Sequence, residues 1–323
     1  MGFIKWVKSA LIAGRRRTAA ANFIVTRRCN LRCGYCNFQN KGKELPPSDW
    51  VKIAERLSKR FAVFSISGGE PTLYDGLPEL IQGLSKIGIV GLCTNGKSLS
   101  SGLFEAISSL DYLNFSIDHL GDSEVSEKTG FENIDLMVEY SKRNSFKLIG
   151  TAVITNRNLN SIPVVISKLA DYGIGTELQL VQNPGTSDSF DTPEKLLQLA
   201  KLLDKLILMK KAGFSILEAD DYILGMVNFV KGDIAVHCLA GKAYLAVDTD
   251  GRLMPCQACN AVGQPILESF DLEKELNRLS DSVPKGCRCW WDCYYQYAQW
   301  ANNPMAFAAA NLIQQTKMAR YRR

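Results

Sequence analysis

From residue 22 onward the chain alternates between two hydrophobic rhythms. Short apolar runs read as strands: NFIVT (22–26), AVFSIS (62–67), IVGLCTN (89–95), YLNFSID (112–118), KLIGTAVIT (147–155) and TELQLVQ (176–182). The segments between them carry apolar residues three and four apart and read as helices. PPSDWVKIAERLSKRF is capped by Ser48 and keeps Ile53, Leu57 and Phe61 in helical register. LPELIQGLSKIG ends at Gly88, and LFEAISSL, ENIDLMVEYSKRN and SIPVVISKLADYG follow the same pattern. Apolar strands alternating with helices predict a parallel sheet covered by helices, the α/β class. Six such units with short loops predict an open, partial (β/α)6 barrel over residues 20–182 rather than a closed eight-fold one.

The flanks read differently. NPGTSDSFDTP is a polar linker and a helix follows at 193–212, so residues 183–235 are expected to complete the barrel. From 236 to 323 the chain turns toward Cys, Gly and aromatics, which predicts a small cysteine-rich C-terminal domain. At the other end Phe3, Ile4, Val7, Leu11 and Ile12 fall at helical spacing among basic residues. Residues 1–19 therefore read as a basic amphipathic helix. It docks on the protein's own core or, through residues 1–17, touches the inner face of a membrane.

With 46% hydrophobic and 22% charged residues, the 323-residue chain suits a globular protein. No apolar run of 18 residues and no clean secretory signal is present, which points to the cytoplasm. The net charge of +5 is concentrated in Lys5, Lys8, Arg15, Arg16 and Arg17, so a broad nucleic-acid-binding face is not expected. The ten cysteines are clustered, and without an export signal they favour metal ligation over disulfides.

CNLRCGYC (29–36) places Cys29, Cys33 and Cys36 directly after the first strand, at the rim where parallel α/β folds bind ligands. Cysteine thiolates hold iron–sulfur clusters, and three of them leave one iron of a cubane open to another ligand. Three thiolates and a water could also hold zinc, although structural zinc sites use paired C-x2-C knuckles. After the second strand comes SISGGEPTL, with Gly68, Gly69, Glu70 and Pro71.

CNLRCGYC followed by GGEP resembles the signature of the radical S-adenosylmethionine (SAM) superfamily, with Tyr35 as the aromatic before the third cysteine. The resemblance covers residues 20–182 and implies a [4Fe–4S] cluster on Cys29, Cys33 and Cys36. It implies that the open iron chelates SAM and that Gly68, Gly69 and Glu70 meet the SAM amino group, partly through backbone. The reduced cluster would then cleave SAM to methionine and a 5′-deoxyadenosyl radical that abstracts hydrogen from substrate. An external electron donor of the flavodoxin or ferredoxin type is implied as well. Thr94 and Asn95 end the third strand and Ser116 and Asp118 the fourth, where the resemblance places the SAM ribose. His119 reads as a structural histidine and Cys93 as a small core residue.

A second cluster begins at Cys238. YLAVDTDGRLM (244–254) reads as a hairpin turning at Asp250–Gly251, which brings Cys238 and Cys256 together. This pattern resembles the C-terminal SPASM or twitch extension of radical SAM enzymes and implies an auxiliary [4Fe–4S] cluster. The favoured ligands are Cys238, Cys256, Cys289 and Cys293, with Cys287 and Cys259 as alternates and structural zinc as the rival. Trp290, Trp291, Tyr294 and Tyr295 read as shielding for that cluster. The expected substrate is a small molecule or lipid, because the layout also resembles the branch acting on hopanoid lipids. A ribosomally made peptide is the alternative, and a non-catalytic electron carrier the distant one. About twenty residues precede the barrel, too few for the precursor-recognition domain of many peptide-modifying members.

Overall fold

The computed structural model describes residues 20–36, 42–120, 131–182, 188–233, 238–259, 265–267, 271–284 and 289–291. The expected amphipathic helix at 1–19, Cys287 and Cys293 lie outside these residues. Six parallel strands run in chain order: β1 (Ala20–Thr26), β2 (Val63–Gly68), β3 (Ile89–Thr94), β4 (Tyr112–Ser116), β5 (Lys147–Ile154) and β6 (Gly175–Leu180). The helices between them are α1 (Pro47–Leu57), α2 (Leu77–Ser85), α3 (Ser101–Ala106), α4 (Ile134–Asn144) and α5 (Ser161–Asp171). Each strand pairs with its predecessor and the sheet does not close. Right-handed crossovers then put the helices on one face.

Strand alternation sorts the residues between the two faces. Phe23, Val25, Phe64, Ile66, Val90, Leu92, Leu113 and Phe115 are fully buried and share one core with Trp50, Ile53, Leu80 and Leu84 of the helices. The opposite, inner face carries half-buried polar residues: Asn22, Ser65, Asn114, Thr151 and Glu177. Cys93 is among them, which corrects its reading as a core residue. Odd-numbered positions of β3 face away from the helices, so its thiol stands 3.6 Å from Ser65 Oγ on the inner face.

The helix at 47–57 starts from Pro46, with no side-chain cap, so Ser48 is not its cap. Pro47, with its fixed φ and missing N–H, suits the first helical position better. α3 begins at Ser101, where Ser100 Oγ accepts from Leu103 N, two residues before the expected start. Beyond α6 (Pro193–Lys211), which the sequence predicts, lies α7 (Asp220–Lys231), which it did not. Residues around Ile216 run beside β6 through a bridge to Thr176.

The predicted hairpin forms from β7 (Tyr244–Val247) and β8 (Leu253–Met254), turning at Gly251 with φ +83°. It does not stand apart from the barrel. β7 pairs in parallel with β1, so the eight strands make one sheet, with β6 at one edge and β8 at the other. Arg27 and Asp248 form an ion pair at 2.7 Å across this junction. α8 (Leu272–Asp281), also unforeseen, starts at Asp271, whose side chain accepts from Lys274 N. Among the described residues no helix is long and apolar enough to cross a membrane.

Candidate active site

The cysteine loop leaves the C-terminal end of β1. Leu31 N donates to Cys29 Sγ at 3.4 Å, and Cys36 N donates to Cys33 O at 3.0 Å, closing a turn. Cys29 and Cys33 are half-buried and Cys36 is exposed. The GGE segment lies directly against this loop's root: Gly69 N donates to Thr26 O at 2.8 Å and Glu70 N to Arg28 O at 2.7 Å. A Cβ on Gly68 would overlap Thr26 O, and one on Gly69 would overlap Arg28 O. Gly68 also sits at φ +151°, where other residues are strained. The paired glycines are therefore required for the ends of β1 and β2 to meet.

Glu70 is 1% exposed and its carboxyl is used within the protein. Oε1 accepts from Thr72 N, Thr72 Oγ1 and Thr94 Oγ1, and Oε2 accepts from Asn95 N at 2.7 Å. Asn95 Nδ2 donates onward to Asn30 Oδ1 at 2.7 Å, and Asn30 Nδ2 to Ser98 Oγ. Glu70, Thr94 and Asn95 thus tie the ends of β2 and β3 to the cysteine loop. Pro71 opens a single turn of 3-10 helix behind Glu70.

A second tie runs to β4. Tyr35 Oη donates to Asp118 Oδ2 at 2.5 Å, while Asp118 Oδ1 accepts from Val153 N. Asp118 is fully buried, so it acts as an anchor for Tyr35, and Ser116 is the more exposed of the expected ribose pair. His119 is buried beside Asp118 at 2% exposure. On the far side of the loop Asp188 Oδ2 lies close to Gly34, and Asp188 pairs with Arg157 at 2.9 Å. Sequence reasoning missed Asn30, Asp188 and Arg157, whose roles depend on contacts distant along the chain.

The second cysteine cluster forms around the hairpin. Cys238, Cys256 and Cys259 pack with Ala240, Ala243 and Tyr244. Cys256 and Cys259 sulfurs are 3.5 Å apart in a turn closed by Cys259 N to Cys256 O, and Cys238 Sγ is 3.3 Å from Tyr244 Oη. Cys289 stands next to Trp290, which packs toward α7. Trp290 stacks on Tyr222 and Phe229 of α7, donating Nε1–H to Tyr222 O, because its flat apolar surface is better buried against that helix.

Among the described residues no three Cys, His, Asp or Glu side chains are gathered closely enough to hold a metal on their own. The donor set nevertheless fits an iron–sulfur cluster in kind and place. Three thiols share one loop, that loop is bonded to the ends of β2, β3 and β4, and the paired glycines let the end of β2 pack directly against its root.

An open parallel α/β sheet with three cysteines at the carboxyl end of its first strand defines a class of cluster-bearing, ligand-binding enzymes. Residues 23–169 match the model of the Radical SAM superfamily. Over those residues the chain carries a radical SAM domain, a kind of domain that uses a [4Fe–4S] cluster and SAM. Among curated relatives, a probable GTP 3′,8-cyclase of Sulfurisphaera tokodaii is 26% identical, with 72% of this chain and 79% of that protein aligned. The corresponding protein of Sulfolobus acidocaldarius is 32% identical, but the match spans only 36% of this chain and 39% of its own length. The PqqA peptide cyclase of Bradyrhizobium diazoefficiens is 23% identical over 74% of this chain and 66% of its own. Among solved structures, Streptococcus suis SuiB bound to precursor peptide SuiA shares the fold at a TM-score of 0.66 and 17% identity, covering 86% of this chain and 70% of that one. The anSMEcpe protein with bound AdoMet and Cp18Cys peptide has a TM-score of 0.61 at 16% identity, over 92% and 99%.

Proposed function

We propose that the protein reductively cleaves SAM at a [4Fe–4S] cluster held by Cys29, Cys33 and Cys36 and abstracts hydrogen from a substrate lying on the inner face of the sheet. The observation that carries this reading is the bonding of the cysteine loop to the GGE turn, from Thr26 and Arg28 to Gly69 and Glu70. The bound cluster would supply the electron that splits SAM into methionine and a 5′-deoxyadenosyl radical. The chain's own residues do the placing. Since the Glu70 carboxyl is engaged by Thr72, Thr94 and Asn95, the backbone of Gly68–Glu70 is the better partner for the SAM ammonium. Ser116 is the better partner for the ribose. Tyr35 and Asn30 keep the loop from swinging away from both.

An auxiliary [4Fe–4S] cluster is proposed at Cys238, Cys256 and Cys259, with a fourth ligand from Cys287, Cys289 or Cys293. The 3.5 Å approach of Cys256 and Cys259 supports moving Cys259 into the ligand set. A small molecule or lipid and a ribosomally made peptide remain the two substrate classes. Similarity to a PqqA peptide cyclase, and in fold to SuiB seen with SuiA, favours the peptide.

Anaerobic reconstitution followed by SAM and dithionite tests the whole reading. 5′-Deoxyadenosine is the expected product, and its absence from a preparation with intact clusters would leave only an electron carrier. Two cubanes carry about eight irons. Cys33→Ala and Cys259→Ala should each lose about half, the first losing SAM cleavage and the second retaining SAM binding.

A further inference from the structure

The inner face of the sheet below the cysteine loop is not an inert barrel lining. Asn114 Nδ2 and Thr151 Oγ1 both donate to Glu177 Oε2 at 3.0 Å, from β4 and β5 to β6. Behind them Glu218 is 3% exposed, and its Oε1 caps the edge of β6 by accepting from Leu178 N at 2.5 Å. Two buried polar atoms, the acceptor Asn114 Oδ1 and Glu218 Oε2, have no hydrogen-bond partner among the described residues. A buried acceptor is costly unless something donates to it, and Asn114 Oδ1 lacks a donor.

The charges around this group are mixed but lean acidic. Burial, then the neighbouring Glu177 charge, hold the Glu218 carboxyl well above the usual carboxylate range. Lys147 faces the same space from the start of β5, and burial keeps its amine below the ordinary lysine range although Glu177 opposes the shift. Lys210 is turned to the Glu218 carbonyl and to Asp220 instead. Cys93 completes the wall, its thiol raised to about 11 by burial. Its sulfur lies 3.6 Å from Ser65 Oγ, which carries the polar face from β3 to β2.

We propose that this face is where the substrate is held, and that it takes a protonated amine whose N–H groups meet Glu177 and Asn114 Oδ1. The assignment rests on the radical SAM reading above and adds the chemistry of the ligand. An ammonium carries three donors and one positive charge, which matches an unfilled acceptor beside an acidic residue. A phosphate-bearing end, such as a nucleoside triphosphate presents, would meet like charge and acceptors at the same place and is disfavoured there.

Ligand-observed NMR on the reconstituted holoenzyme tests this with three fragments of one shape: n-butylammonium, n-butanol and butyrate. Butylammonium should bind, and Glu177→Gln should weaken it about tenfold, the loss of one charge-assisted hydrogen bond. Butylammonium should also slow alkylation of Cys93, read by peptide mass spectrometry. Equal binding of butanol or butyrate, or butylammonium binding unchanged in Glu177→Gln, overturns the proposal. SAM cleavage is measured on the same wild-type preparation. Lost cleavage would sink the functional reading, whereas intact cleavage without butylammonium binding would sink only this one.

Discussion

At the scale of single residues, the site is held by buried carboxyl groups that never need to reach a ligand. Glu70 satisfies four donors from Thr72, Thr94 and Asn95. In Glu70→Gln an amide N–H₂ would face a backbone N–H, so the variant should lose roughly 2–3 kcal/mol of stability. It should also bind SAM more weakly, both visible in a thermal melt with and without SAM. Tyr35→Phe leaves the fully buried Asp118 Oδ2 without its hydroxyl donor. A cost of roughly 1–3 kcal/mol is expected, together with faster loss of iron to a chelator. Cys29, Cys33, Cys36 and the GGE turn were legible in the sequence because they lie close together in short motifs. The partners that fix them were not. Asn30 meets Asn95 and Tyr35 meets Asp118 across gaps of 65 and 83 residues, and spacing carries no signal over such distances.

At the scale of elements, close approach explains more than propensity. Gly69→Ala would push a methyl into the Arg28 carbonyl and separate the end of β2 from the cysteine loop. Reconstituted Gly69→Ala should therefore retain little of the first cluster's iron. Gly102, in the exposed part of α3, has nothing within 4 Å of where its Cβ would stand. Gly102→Ala should raise stability by about 0.5–1 kcal/mol with activity intact, measured by denaturant titration. The six strands and their helices were readable because 2-residue and 3.6-residue rhythms are local properties. α7 was missed because Gly225 interrupts its pattern. The glycine is there to let Trp290 lie flat, since a Cβ at 225 would overlap the indole.

At the scale of the molecule, an open sheet exposes a second face, and its chemistry sets how stability responds to pH. The Glu218 carboxyl keeps its proton in the fold above 4.5, its ordinary value, where the unfolded chain has released it. The folded state then binds more protons, so this residue favours folding at low pH and loses that advantage as pH rises. Wild type should lose up to about 1.4 kcal/mol per pH unit above that value relative to Glu218→Gln. Parallel pH-dependent melts of the two would show this, and parallel curves would refute it. The sequence by itself determined the order of strands and helices, the three-cysteine loop and its GGE companion, because each is written in neighbouring residues. Only the tertiary structure decided that β7 extends the sheet from β1, that Cys259 joins Cys238 and Cys256, and that Glu177, Asn114 and Glu218 share one face. Those facts depend on strand register and sheet curvature, which bring together residues far apart in the chain.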